Sequence, residues 1–105
     1  MINKKFSSKW INILKYDYPE LYETIVDLDE CVFTGKSLDH KTQKLIAIGI
    51  VASNYNSESI ERQMRKGIKE FSLTKDELMD VLRVVLLTSG MPTFTKSITI
   101  LNELF

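Results

Sequence analysis

The chain has 105 residues, 44% of them hydrophobic and 27% charged, with 14 basic and 14 acidic side chains. One hydrophobic core is feasible at that length, so a single domain over residues 1–105 is expected. Zero formal net charge argues against a broad nucleic-acid surface, and a lone cysteine excludes both an intrachain disulfide and a cysteine metal cluster.

The opening MINKKFSSKW carries charge with no apolar leader segment behind it. The longest apolar run, Leu45 to Ala52, falls far short of the ~20 residues a membrane-spanning helix needs. A cytoplasmic, soluble protein with no membrane, nucleic-acid or metal partner and no cofactor is therefore expected.

Residues 4–15 place Phe6, Trp10, Ile13 and Leu14 at helical spacing, which predicts a short amphipathic helix. Pro19 opens a second helix, since proline suits a first turn and disfavours helix at the residue before it. Glu20 and Glu23 complement the dipole of that helix. Leu21, Ile25, Leu28 and Val32 give it an apolar stripe, and it ends near Cys31. Thr34 to Ser37 reads as a loop.

Asp39 is a candidate N-cap for a third helix running to about Ser53. Its centre, LIAIGIVA, has no polar face, which predicts burial on all sides in a core or a subunit interface. The Ile and Val content leaves a strand as the competing assignment, while length and the absence of alternation favour helix. Asn54 to Ser57 is turn chemistry, and Asn56 or Ser57 caps a fourth helix to about Lys69.

Thr74 and Glu77 form a capping box for a fifth helix, with Leu73 and Leu78 as the hydrophobic staple around it. Gly90 ends that helix as a left-handed C-cap, and Pro92 lies near the start of a sixth, lined by Phe94, Ile98, Leu101 and Leu104. The sum is an all-α, compact bundle of about six helices. The third and fifth carry more apolar surface than one small domain covers, which predicts a homo-oligomer.

Several segments occur in a telling order. L-D-H-K-T-Q-K-L-I-A-I-G opens the buried helix, and a polar bend and a helix ending in R-K-G follow. S-L-T-K-D-E-L-M-D-V-L then leads into S-G-M-P-T-F. Over roughly residues 20–104 this resembles the carboxymuconolactone decarboxylase superfamily, which includes the alkylhydroperoxidase D-like proteins. The resemblance implies an alkylhydroperoxidase D-like helical fold assembled as a trimer or a hexamer, and an antioxidant, peroxiredoxin-type or decarboxylase activity.

The alkylhydroperoxidase D branch uses a glutamate, a C-x-x-C pair and a histidine, a set in which a base and a carboxylate help expose a thiolate. The matching positions here are Lys44, Asn56 with Ser59, and Gln63. Asn and Ser form neither a disulfide nor a sulfenic acid, so this chain alone does not run the dithiol mechanism. The decarboxylase branch keeps a histidine in a stretch like E-L-R-x-H; in Ser59-Ile60-Glu61-Arg62-Gln63 that histidine is again Gln63, which hydrogen-bonds but does not titrate.

Asn56, Ser59 and Gln63 share one face of the fourth helix. Folding the third helix back across the bend sets Lys44 opposite about residue 67, within reach of Gln63. These residues form a candidate polar pocket for a small anion or carboxylate. The competing reading is a relict cluster, filled by water or closed by a contact from Lys44 to a carboxylate.

Cys31 is a candidate one-cysteine peroxidatic thiol, against the commoner role of an inert, buried, small hydrophobe. His40 stands alone in a first helical turn, and no ligand set for zinc accompanies it. Arg62, Arg65, Lys66 and Lys69 form a basic stripe that Glu58, Glu61 and Glu70 balance as a solvated face; a helix-turn-helix reading fails on the apolar third helix and the neutral chain. Two functions remain: an enzyme or binder of a small organic acid between the third and fourth helices, or a non-enzymatic oligomeric module that partners another redox or metabolic protein.

Overall fold

The computed structural model describes residues 9–105. They form six α-helices, with no strand among the described residues: α1 Lys9–Asp17, α2 Pro19–Val32, α3 His40–Ser53, α4 Ser57–Phe71, α5 Lys75–Ser89 and α6 Met91–Leu104. The all-α expectation is met, and the strand alternative for Leu45 to Ala52 is not. Phe6 and the start of the expected first helix lie outside the described residues. Among the described residues no helix is long and apolar enough to cross a membrane.

The chain divides into two compact units, one ending at Lys36 and the other covering Ser37–Phe105. In the first, α1 and α2 pack on one another. The gap expected between residue 15 and Pro19 narrows to Tyr18, because α1 continues to Asp17 and Pro19 takes the first position of α2. Neither helix buries a residue fully. Cys31 is exposed, which corrects its placement as a buried hydrophobe: the apolar stripe of α2 that should have buried it is itself open, with Leu21, Ile25, Leu28 and Val32 all exposed.

In the second unit each helix sends one line of residues inward at the 3.6-residue period. Lys44, Ile48 and Ala52 come from α3, and Ile60, Met64 and Gly67 from α4. Leu78, Leu82 and Val85 come from α5, and Thr93, Ser97, Ile100 and Leu101 from α6. Burying each large aliphatic side chain among these contributes about 1.5–3 kcal/mol. α3 packs against α4, α5 and α6, and α6 also packs against α4 and α5. The core of this unit covers one side of α3, and Ile46 and Ile50 on its other side are exposed within the single chain.

The connections explain the order of packing. Asp39 Oδ1 accepts from Thr42 N at 2.8 Å and Asn56 Oδ1 from Ser59 N at 2.9 Å, so both expected N-caps are in place. Between them Tyr55 takes φ 65°, and Lys96 from α6 sets its ammonium 3.8 Å from the centre of the Tyr55 ring, a cation–π contact that ties the bend to the last helix.

The Thr74–Glu77 capping box is complete, and Glu77 also pairs with Lys41 at 2.6 Å, joining the start of α5 to the start of α3. Gly90 has φ 95° and ψ 174°, so it is not the left-handed helical cap expected but an extended positive-φ residue that serves α5 and α6 at once. No residue separates those two helices other than Gly90 itself, which leaves no room for a longer cap motif.

Gly67 sets the distance between α3 and α4. A Cβ there would lie 2.5 Å from Leu73 Cδ1, 3.2 Å from Ile48 Cδ1 and 3.3 Å from Lys44 Cγ. Helix propensity alone makes Gly67→Ala a gain of about 1 kcal/mol. Leu73, however, is 2% exposed and has no space to yield, and overpacking of this kind costs about 1–3 kcal/mol. The crowding wins, so urea denaturation of Gly67→Ala should give a net loss of about 1 kcal/mol; an unchanged or higher midpoint contradicts this packing.

The Glu77 carboxyl is held below the usual carboxylate range, first by the hydrogen bond from Lys41 and then by the Thr74 backbone N–H. Asp39 is lowered by its bonds from Thr42. A depressed carboxyl contributes stability above the unfolded pKa, about 4.3 for glutamate, and that contribution is lost as pH falls through the folded value. Melting temperature against pH should therefore drop below pH ~4.3, and in Glu77→Gln the drop should be shallower and start from a lower plateau at neutral pH.

Candidate functional site

The bend between α3 and α4 brings together two of the four candidate residues directly. Lys44, on the inward line of α3, is 7% exposed, and its Nζ donates to Gln63 Oε1 at 2.9 Å. The fold-back geometry expected from the sequence holds, since the Lys44 stem runs beside Gly67 and its ammonium reaches one turn back to Gln63. A lysine is seldom buried without a specific partner, because withdrawing an ammonium from water costs several kcal/mol. The Gln63 oxygen supplies part of the compensation.

The other two positions have different roles. Asn56 is exposed, and its side-chain oxygen is committed to the α4 cap. Ser59 is half-buried one turn before Gln63, and its Oγ accepts from Arg62 Nη2 at a long 3.5 Å. The neighbouring Arg65 pairs with Glu61 at 3.0 Å, so part of the basic stripe is balanced along the helix as its solvated reading requires.

Lys44, Gln63, Ser59 and Arg62 bring an ammonium, a side-chain amide, a hydroxyl and a guanidinium to α3 and α4, with the Glu61 carboxylate also on α4 and paired with Arg65. Donor-rich, cationic surroundings suit an acceptor-only group such as a carboxylate. Sequence reasoning placed Lys44 opposite residue 67 and near Gln63 but missed why that position is glycine, with Leu73, Ile48 and the Lys44 stem filling the space a Cβ would take. The detectable signal was a glycine inside a helix that is otherwise a sound one, which usually marks a close approach.

His40 is exposed at the start of α3 and does not join this cluster, and Cys31 lies on α2 in the first unit. Among the described residues no three His, Cys, Asp or Glu side chains are grouped to hold a metal ion.

A model of the carboxymuconolactone decarboxylase family matches residues 19–103. Two uncharacterized proteins of Methanocaldococcus jannaschii are similar to the chain. One is 57% identical over 104 residues, 99% of this chain and 100% of that protein. The other is 37% identical over 93 residues, 89% of this chain and 86% of that protein.

Hydrogen bonds to a charged donor are worth about 1.5–3 kcal/mol. Gln63→Ala, which strips the Oε1 acceptor from Lys44, should accordingly lower stability by about 2 kcal/mol. A loss below a few tenths in chemical denaturation means the bond contributes little.

Proposed function

The chain belongs to the carboxymuconolactone decarboxylase family, and on that premise we propose that it binds a small organic acid at the Lys44–Gln63 centre between α3 and α4. The observation that carries this reading is the Lys44 ammonium, 7% exposed, with Nζ donating to Gln63 Oε1 at 2.9 Å across the two helices. A side chain that only needed to fill the space beside Gly67 would be apolar. A buried ammonium is instead a group that a bound carboxylate can meet at close range.

The chemistry of the positions agrees. Where the family's redox set has a carboxylate, two thiols and an imidazole, this chain has an ammonium, an amide, a hydroxyl and a second amide. That set exchanges proton and electron transfer for anion recognition. Lys44 supplies the charge, Gln63 orients it through Oε1 and offers its own amide N–H groups, and Ser59 with Arg62 extends the donor surface by one turn of α4. A carboxylate accepts from each of these groups and donates to none. Peroxide reduction through a dithiol is not part of this proposal, since Asn56 and Ser59 carry no sulfur.

A panel of small mono- and dicarboxylates, titrated against the purified protein, tests this. A ligand at a hundredfold its Kd should stabilise the fold by about 2.7 kcal/mol, read as a rise of several degrees in Tm. Lys44→Met, which keeps the buried stem and removes the charge, should abolish the rise. A flat panel for the unaltered protein, or a rise that persists in Lys44→Met, defeats the proposal.

A further inference from the structure

The bend between α3 and α4 holds a residue whose backbone and side chain disagree. Tyr55 has φ 65°, the left-handed region that a helix end usually enters with glycine or asparagine. Asparagine stands on either side of it, at positions 54 and 56, yet the left-handed position itself is a tyrosine. A large side chain kept where the backbone resists it points to a contact made by the ring.

The ring has such a contact. Lys96, half-buried on α6, sets its ammonium 3.8 Å from the ring centre, well inside the ~6 Å over which an aromatic face attracts a cation. Among the described residues no carboxylate pairs with Lys96, so its charge is committed to the ring. The backbone closes the same bend: Tyr55 N–H donates to Ala52 O at 3.3 Å, and Asn56 Oδ1 caps α4 at Ser59 N.

Gln63 lies seven residues, about 10 Å, along α4 from Asn56. Four residues further on, Gly67 meets the Lys44 stem. α4 is therefore fastened to α3 at two points that bracket Gln63. The close approach at Gly67 sets how far apart the helices are. The bend sets the direction in which α4 leaves α3.

We propose that Lys96 is a positioning residue for the Lys44–Gln63 centre. Through the Tyr55 ring it holds the bend, and the bend directs α4 so that Gln63 Oε1 stands 2.9 Å from Lys44 Nζ. Its effect on ligand binding rests on the small-acid reading of that centre; its effect on Gln63 does not.

Nuclear magnetic resonance of the ligand-free protein separates the contact from its consequence. The Cε protons of Lys96, next to the ammonium, should be shifted upfield by the ring, and Tyr55→Leu should return them to their ordinary position. In Lys96→Met and in Tyr55→Leu the side-chain amide signal of Gln63 should move toward its position in Lys44→Met, where the hydrogen bond is gone. Lys96→Arg, which keeps the cation, and Tyr55→Phe, which keeps the ring, should leave that signal in place. Backbone amide exchange at residues 57–60 should quicken about two- to thirtyfold in the first pair of variants, while exchange in α5 is unchanged. A carboxylate that binds the unaltered protein should bind the first pair more weakly and the second pair equally well. The proposal is overturned by a Gln63 signal that stays in place in Lys96→Met or Tyr55→Leu, or by one that moves as far in Lys96→Arg or Tyr55→Phe. A flat carboxylate panel alongside the expected Gln63 shifts defeats the small-acid reading alone, and the positioning role of Lys96 stands.

Discussion

The distance between α3 and α4 at Gly67 governs both the core and the candidate site. With no side chain at that point, Leu73, Ile48 and the Lys44 stem occupy the space a Cβ would take. The same closeness leaves the Lys44 ammonium little choice of direction: the stem is fixed below, and Gln63 lies within hydrogen-bond reach above. A buried ammonium is tolerable only while its acceptors hold their places. Core packing and site geometry are therefore one constraint, and a change that moves α4 outward weakens both.

α3 is read differently once its two sides are separated. Lys44, Ile48 and Ala52 face inward, while Ile46, Ile50 and Ser53 line an aliphatic groove between α3 and α5. Residues two apart on a helix differ by about 200° around the axis, so site and groove occupy opposite faces. The all-round apolar pattern is thus the sum of two half-patterns, one for the core and one for a surface.

Much of the fold was legible because its local signals agree. Asp39, Asn56 and Thr74 with Glu77 are caps whose side chains have few alternatives at those positions. Pro19 falls at a helix start for a similar reason. What the sequence could not convey was which apolar stripes find a partner within the chain. The stripe of α2 and the outer face of α3 have the composition of core faces, yet within the single chain they are exposed, because periodicity reports amphipathicity and not what covers it. Gly90 was legible as a positive-φ residue. Its extended ψ was not, because that depends on α6 starting at the very next residue.

The candidate site was half legible for a related reason. The pairing of Lys44 with Gln63 follows from helix geometry once the bend is placed, so two positions far apart in sequence could be matched without coordinates. The fate of Asn56 does not follow, because the same side chain serves equally as a pocket donor or as an N-cap. The cap prevails because the first turn of α4 has backbone N–H groups that no residue within the helix can satisfy. That demand is present in every folded molecule, whereas a ligand is present only part of the time. Asn56 therefore belongs first to the fold. The proposed anion site rests on the two residues, Lys44 and Gln63, whose contact the caps and the close approach at Gly67 together enforce.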